Sequence, residues 1–304
     1  MSFLYERITR EHDGGIEYRR PAKGALINHL ENIIHSTKYS LIGFDGYIIP
    51  KDILEVTLLL FCREYDEEQL KNNSTEERAK ALFDELKVEL DFDLACEFAK
   101  QLNCNIACVF TPYDYPKNNV EVKEQNILLL PQINNKRTVK KQNVDEFREF
   151  LKDHKKRYSR KPVTFIPTKL EYYLANVADT EWKIAFPGDA DGILMDEDYN
   201  VQAILEYKSD TQGNILKEEA IKKYEADSTR FNVLDDFCKL LNVPLIVIFW
   251  SDTHSNAKIT IRNSLKGIEN SLPIIKSNDY YSCADKIYNV LIDLNGNMGK
   301  LNLL

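Results

Sequence analysis

Long apolar runs are missing from this chain. No stretch of its 304 residues reaches the roughly 18 to 20 apolar residues that a membrane-spanning helix needs. The opening Met1-Ser2-Phe3-Leu4-Tyr5-Glu6 lacks the basic-then-apolar order of a secretion signal. The expectation is a cytoplasmic chain with no membrane role. Glycine is scarce, and no glycine-rich phosphate loop is present; nucleotide-driven work would need a partner ATPase. The five histidines (His12, His29, His35, His154, His254) show no paired spacing, which argues against a zinc hydrolase. The six cysteines are scattered through apolar patterns and read as small core residues rather than disulfides or zinc ligands. Positive charge is in deficit: 40 Lys and Arg stand against 48 Asp and Glu, a net charge of −8. That argues against promiscuous tight binding to nucleic acid, because phosphate affinity comes from Lys and Arg.

What remains is an ordinary globular composition, 43% apolar and 29% charged, in a length that suits one large or two ordinary domains. One segment departs from the acidic average. Between Lys136 and Lys161 basic residues dominate, including Lys152, Lys155, Lys156, Arg157, Arg160 and Lys161. This basic helix and its tail could track a phosphate backbone, or be a solvated helix face whose carboxyl end favours cations.

The most specific pattern lies further on. Gly188-Asp189-Ala190-Asp191-Gly192-Ile193-Leu194 leads through the acidic turn Asp196 to Asn200 into Ile204-Leu205-Glu206-Tyr207-Lys208. Residues 201 to 208 read as a strand, on which Glu206 and Lys208 share one face and Leu205 and Tyr207 the other. Two carboxylates and an ammonium group at this spacing suit a Mg²⁺ site, since that ion takes one or two carboxylates and fills its other positions with water and phosphate. The competing reading is a salt-bridged hairpin at a surface edge, where a pair contributes only about 0 to 1 kcal/mol.

An Asp before a hairpin, then Glu-x-Lys on the next strand after fourteen intervening residues, resembles the PD-(D/E)xK nuclease superfamily over roughly residues 165 to 250. The resemblance implies an α/β fold with a mixed central sheet flanked by helices, restriction-endonuclease-like. It also implies a Mg²⁺-dependent (endo)deoxyribonuclease, with Mn²⁺ able to substitute, in which Asp191, Glu206 and Lys208 are catalytic. Asp191, Glu206 and the backbone carbonyl of Tyr207 would be the metal ligands. Asp189 rivals Asp191 for its role. Glu171 is a candidate auxiliary ligand on a preceding helix, or a residue that merely favours that helix's amino terminus. Arg230 is a candidate to orient phosphate, or a surface arginine whose stem covers apolar area. The expected partner is nucleic acid, DNA before RNA, with a partner protein or a homodimer also open, as in restriction or phage-defence systems. The alternative is a non-catalytic nucleic-acid-binding or regulatory subunit that retains the fold.

The chain also matches itself. Cys96-Glu97-Phe98-Ala99-Lys100-Gln101-Leu102-Asn103 parallels Asp235-Asp236-Phe237-Cys238-Lys239-Leu240-Leu241-Asn242, and each runs into an apolar strand. Upstream, Asp45-Gly46 stands opposite Asp191-Gly192, and downstream Ile127 to Leu130 stands opposite Ile259 to Ile261. Self-similarity at this long period suggests two tandem similar units, expected as 1–160 and 161–304. The first carries Leu60-Phe61-Cys62-Arg63 where the second has Leu205-Glu206-Tyr207-Lys208. It therefore reads as a catalytically silent copy that braces the other half, binds a partner or substrate, or serves as packing scaffold.

Overall fold

The computed structural model describes residues 9–11, 17–19, 24–49, 55–65, 74, 76–78, 80–82, 84, 92–112, 126–133, 136–137, 140–143, 146, 165–166, 188–209, 228–251, 255–263 and 268–301. It is a mixed α/β protein. Close contacts gather it into two compact units, one of Phe3–Ala22 with Phe44–Asp189, the other of Lys23–Gly43 with Ala190–Leu304. The expected division between residues 160 and 161 falls outside the described residues.

In the first unit, β1 (Thr9–Glu11) and β2 (Glu17–Arg19) pair antiparallel, and β9 (Phe165–Ile166) runs parallel to β2. The larger sheet begins with the latter part of β3 (Ser40–Ile48), which forms a hairpin with β4 (Leu58–Tyr65). A crossover through α2 (Phe92–Gln101) then leads to β5 (Asn105–Pro112), parallel to β4. β6 (Asn126–Ile133) returns antiparallel to β5, and β7 (Lys136–Arg137) and β8 (Lys140–Asn143) pair with it. A helix must join β4 to β5 because parallel neighbours need a long crossover. Asp93 in the first turn of α2 suits the helix dipole, while Leu94, Ala95, Phe98 and Ala99 form its buried stripe.

The second unit repeats that succession. β10 (Gly188–Met195) and β11 (Val201–Ser209) form a hairpin, α3 (Ser228–Leu241) crosses over, β12 (Leu245–Ser251) lies parallel to β11, and β13 (Asn256–Asn263) returns antiparallel. β14 (Ile268–Ser271) and β15 (Ile275–Lys276) pair with β13. The order β14-β13-β12-β11-β10 makes β11 an interior strand. β12 is buried along its whole length, as a strand covered on both faces must be. One face is covered by α1 (Ala25–His35) and α4 (Tyr280–Leu301). Leu26, Ile27, Leu30 and Ile34 of α1 enter a core with Leu205, Ile246, Ile248, Ile259 and Ile287, each burial stabilising by about 1.5–3 kcal/mol.

The registers of the two successions agree residue by residue. Gly46 faces Leu60 as Gly192 faces Leu205, and Leu59 faces Ile106 as Ile204 faces Leu245. Both crossover helices end alike. Asn103 and Asn242 take left-handed φ values of 51° and 56°, and the next amides, of Cys104 and Val243, donate to the carbonyls of Ala99 and Cys238. That is the Schellman closure, and asparagine tolerates the left-handed position better than most residues. In the β10–β11 turn, the Asp196 carboxylate accepts the amides of Asp198 and Asn200 at 3.0 and 2.9 Å. The rest of this acidic turn is exposed. All six cysteines are free thiols, with Cys108, Cys238 and Cys283 buried.

Candidate active site

β11 is an interior strand, yet one of its faces carries two charges. Leu205 enters the core beneath α1 and α4, with Tyr207 packed against its edge, so alternation turns Glu206 and Lys208 to the opposite face. Glu206 is 0% exposed, and the Lys208 side chain is 11% exposed with its Nζ 2.8 Å from Glu206 Oε1. This is an interior ion pair, unlike the surface-edge alternative that the sequence left open. Removing two such charges from water costs several kcal/mol per ion, and a packed apolar pair of similar volume is often as stable or more so.

Asp191 joins them through the backbone. Its Oδ2 accepts the Tyr207 amide at 2.7 Å, which ties the carboxylate to the peptide between the two charged residues and leaves its second oxygen as the one that could meet a cation. Asp45 does the same in the first unit, accepting the Cys62 amide at 2.7 Å. The strand beside β10 has no room to spare: a Cβ on Gly43 would lie 2.8 Å from the Asp191 carbonyl oxygen. On the far side, burial pushes the Tyr207 phenol well above its ordinary pKa, and the negative charges of Glu31 and Asp191 add to the shift. Tyr207 therefore stays neutral at any ordinary pH.

The matching position of the first unit holds Phe61, whose ring lies 4.9 Å from that of Phe44, with Phe98 a further 5.6 Å from Phe44. Along the shared registers, Phe44, Phe61 and Phe98 stand at the levels of Ala190, Glu206 and Phe237. The same backbone thus accepts an all-aromatic filling. A charge at 206 is not demanded by packing, whereas the level of Lys208 carries a cation, Arg63, in the first unit too.

The structure brings together Asp191, Glu206, the Tyr207 backbone and Lys208. Asp189 lies on β10 and Arg230 on α3, but their side chains are outside the described residues, as are Glu171 and the basic residues Lys152, Lys155, Lys156, Arg157, Arg160 and Lys161. Among the described residues no group of three or more His, Cys, Asp or Glu side chains converges. Two carboxylates remain as the anionic donors, a number that fits Mg²⁺ with water and phosphate completing its octahedron.

The sequence reading passed over a neighbour. β13 alternates, with Ala257, Ile259 and Ile261 in the core under α1 and α4 and Lys258, Thr260 and Arg262 on the face of Glu206. Thr260 is 0% exposed and its Oγ1 lies 2.9 Å from Ser271 Oγ, while Arg262 pairs with Asp235 at 2.8 Å. Lys258 is 8% exposed.

No family model matches the chain, and no curated protein matches it either. A solved structure described as that of the sex pheromone staph-cAM373 precursor is 10% identical, with 87% of this chain and 93% of that one covered and a TM-score of 0.17. A likeness that low carries no argument about fold or function.

Proposed function

We propose that this chain is a divalent-metal-dependent nuclease of the PD-(D/E)xK kind, most at home on DNA, whose second unit carries the site and whose first unit is a silent copy. The observation that carries the reading is the buried Glu206–Lys208 pair beside the Asp191-anchored Tyr207 amide, at a strand position where the first unit packs phenylalanine.

Asp191, Glu206 and the Tyr207 carbonyl would hold Mg²⁺, with Mn²⁺ as a substitute. When bound, such an ion supplies positive charge to the phosphate oxygens and lowers the pKa of a coordinated water. The chain's own contribution is placement. The Tyr207 amide holds the Asp191 carboxylate beside the segment 206–208. Lys208 already lies against Glu206 and is positioned to orient the attacking water or to offset charge growing on the phosphate. Burial excludes bulk water, which strengthens each of these interactions relative to the same groups at a surface.

The test is cleavage of plasmid, linear duplex, single-stranded DNA and RNA by the purified full chain with Mg²⁺ or Mn²⁺, beside Glu206→Ala and a chelator control. Cleavage by the unsubstituted protein that disappears in both controls is the expected result. Intact substrates throughout, or equal cutting by Glu206→Ala, would sink the proposal in favour of a non-catalytic binding role.

A further inference from the structure

Lys258 is a buried cation that the proposed reaction has not used. It sits on β13 opposite Phe249 of β12, and Phe249 in turn sits opposite Lys208 of β11. Residues directly paired across a sheet project to the same side, so Lys258 and Lys208 share the Glu206 face, their Cα atoms two strand spacings or about 9.5 Å apart. Lys258 is 8% exposed, and among the described residues it makes no ion pair or hydrogen bond with its ammonium group. Lysine is almost never so buried without a partner, since an unpaired buried charge is costly. At the matching register of the first unit stands Leu128, opposite Phe110. The first unit thus has an uncharged residue at that level of the strand, just as it has Phe61 at the level of Glu206.

We propose that Lys258 is a phosphate-contacting residue that receives the nucleic-acid backbone on the face of β11–β13 and, with Lys208, flanks it from two strands. The inference rests on the nuclease reading for its ligand. It adds a residue on a strand that the motif does not include. The missing counter-charge of Lys258 is then supplied by substrate, which is why the ammonium lies on the same face as the carboxylates and why the silent unit dispenses with it.

The experiment measures binding of a labelled duplex and a labelled single-stranded oligonucleotide over a salt series, using the full chain in a Glu206→Gln background so that nothing is cut. Adding Lys258→Met, which keeps the stem and removes the charge, is expected to weaken binding about tenfold and to reduce the salt slope by about one counterion. Lys258→Arg is expected to restore most of the affinity, and the melting midpoint of Lys258→Met to stay level or rise. Unchanged affinity and slope in Lys258→Met overturn the inference, as does a lowered midpoint with no rescue by arginine, and so does failure of the Glu206→Gln parent to bind either oligonucleotide. The two ideas fail separately. Cleavage that depends on Glu206 with binding indifferent to Lys258 removes this contact and keeps the hydrolase; binding that depends on Lys258 in a protein that cuts nothing does the reverse.

Discussion

Phe61 and Glu206 occupy the same level of the same kind of strand, one residue ahead of an amide held by an aspartate, and they have opposite chemistry. Phe61 belongs to an aromatic cluster with Phe44 and Phe98. Glu206 is as deeply buried, with an ammonium group for company. The pattern extends across the sheet, where Leu128 and Leu130 stand at the levels of Lys258 and Thr260. Hairpin, crossover helix, registers and helix closures are common to both units, so the backbone tolerates either filling. The aspartate teaches the complementary lesson. Asp45 and Asp191 make the same bond, so that bond goes with the hairpin whatever side chains stand beside it.

The sharpest way to break the comparison is Glu206→Ala. If the charge serves catalysis, cleavage falls by about 10²- to 10⁴-fold, the equivalent of several kcal/mol of electrostatic stabilisation, as read from initial rates. The reciprocal change, Phe61→Glu, removes a buried ring and installs a carboxylate among aromatics. It is expected to lower stability by at least about 3–5 kcal/mol in urea unfolding, with no gain of cleavage; a tolerated glutamate would mean that the first unit has room for charge after all. Asp45→Ala and Asp191→Ala each strip an acceptor from a strand amide and should each cost about 1–3 kcal/mol. Only the second should reduce cleavage. Equal effects on activity would erase the distinction between the units.

The smallest effect concerns pH. Tyr207 stands at the level of Cys62. Its native pKa is raised, chiefly by burial, so its contribution is complete below the unfolded value of about 10 and is lost as pH climbs from there toward the native one, at up to about 1.4 kcal/mol per pH unit. The sign follows because the unfolded phenol gives up its proton first. Tyr207→Phe should therefore flatten the alkaline decline in unfolding free energy measured between about pH 8 and about 11. An unchanged slope would show that the phenol ionises freely in the native protein.

Much of this was legible in the residues. The spacing from Asp191 to Glu206 and Lys208 announces a hairpin with charges on one face, and the observed β10 and β11 carry them so. The parallel between Cys96–Asn103 and Asp235–Asn242 marks two helices that end in left-handed asparagines. Other features were hidden for physical reasons. The stripe Leu26, Ile27, Leu30 and Ile34 declares that α1 buries a face, but periodicity says nothing of which distant segment covers it, and α1 packs with residues 190–304. Lys258-Ile259-Thr260-Ile261-Arg262 has the polar and apolar alternation of a half-solvated strand, yet Lys258 and Thr260 on its polar side are buried too. Matching Ile127–Leu130 to Ile259–Ile261 by composition also slid the pairing, because apolar residues look alike; the ladders set Leu128 level with Lys258 and so align a leucine with a cation.

The placement of α1 has a consequence for how the protein is made. Residues 25–35 leave the ribosome early, but the strands and helix they cover, from Leu205 to Leu291, are synthesised last. The unit bearing Glu206 and Lys208 cannot seal its core until nearly the whole chain has emerged. A fragment beginning at residue 161 would lack five of the core's aliphatic side chains, Leu26, Ile27, Leu30, Ile34 and Leu41. The order of the elements along the chain thus acts as a timer on when the charged site can assemble.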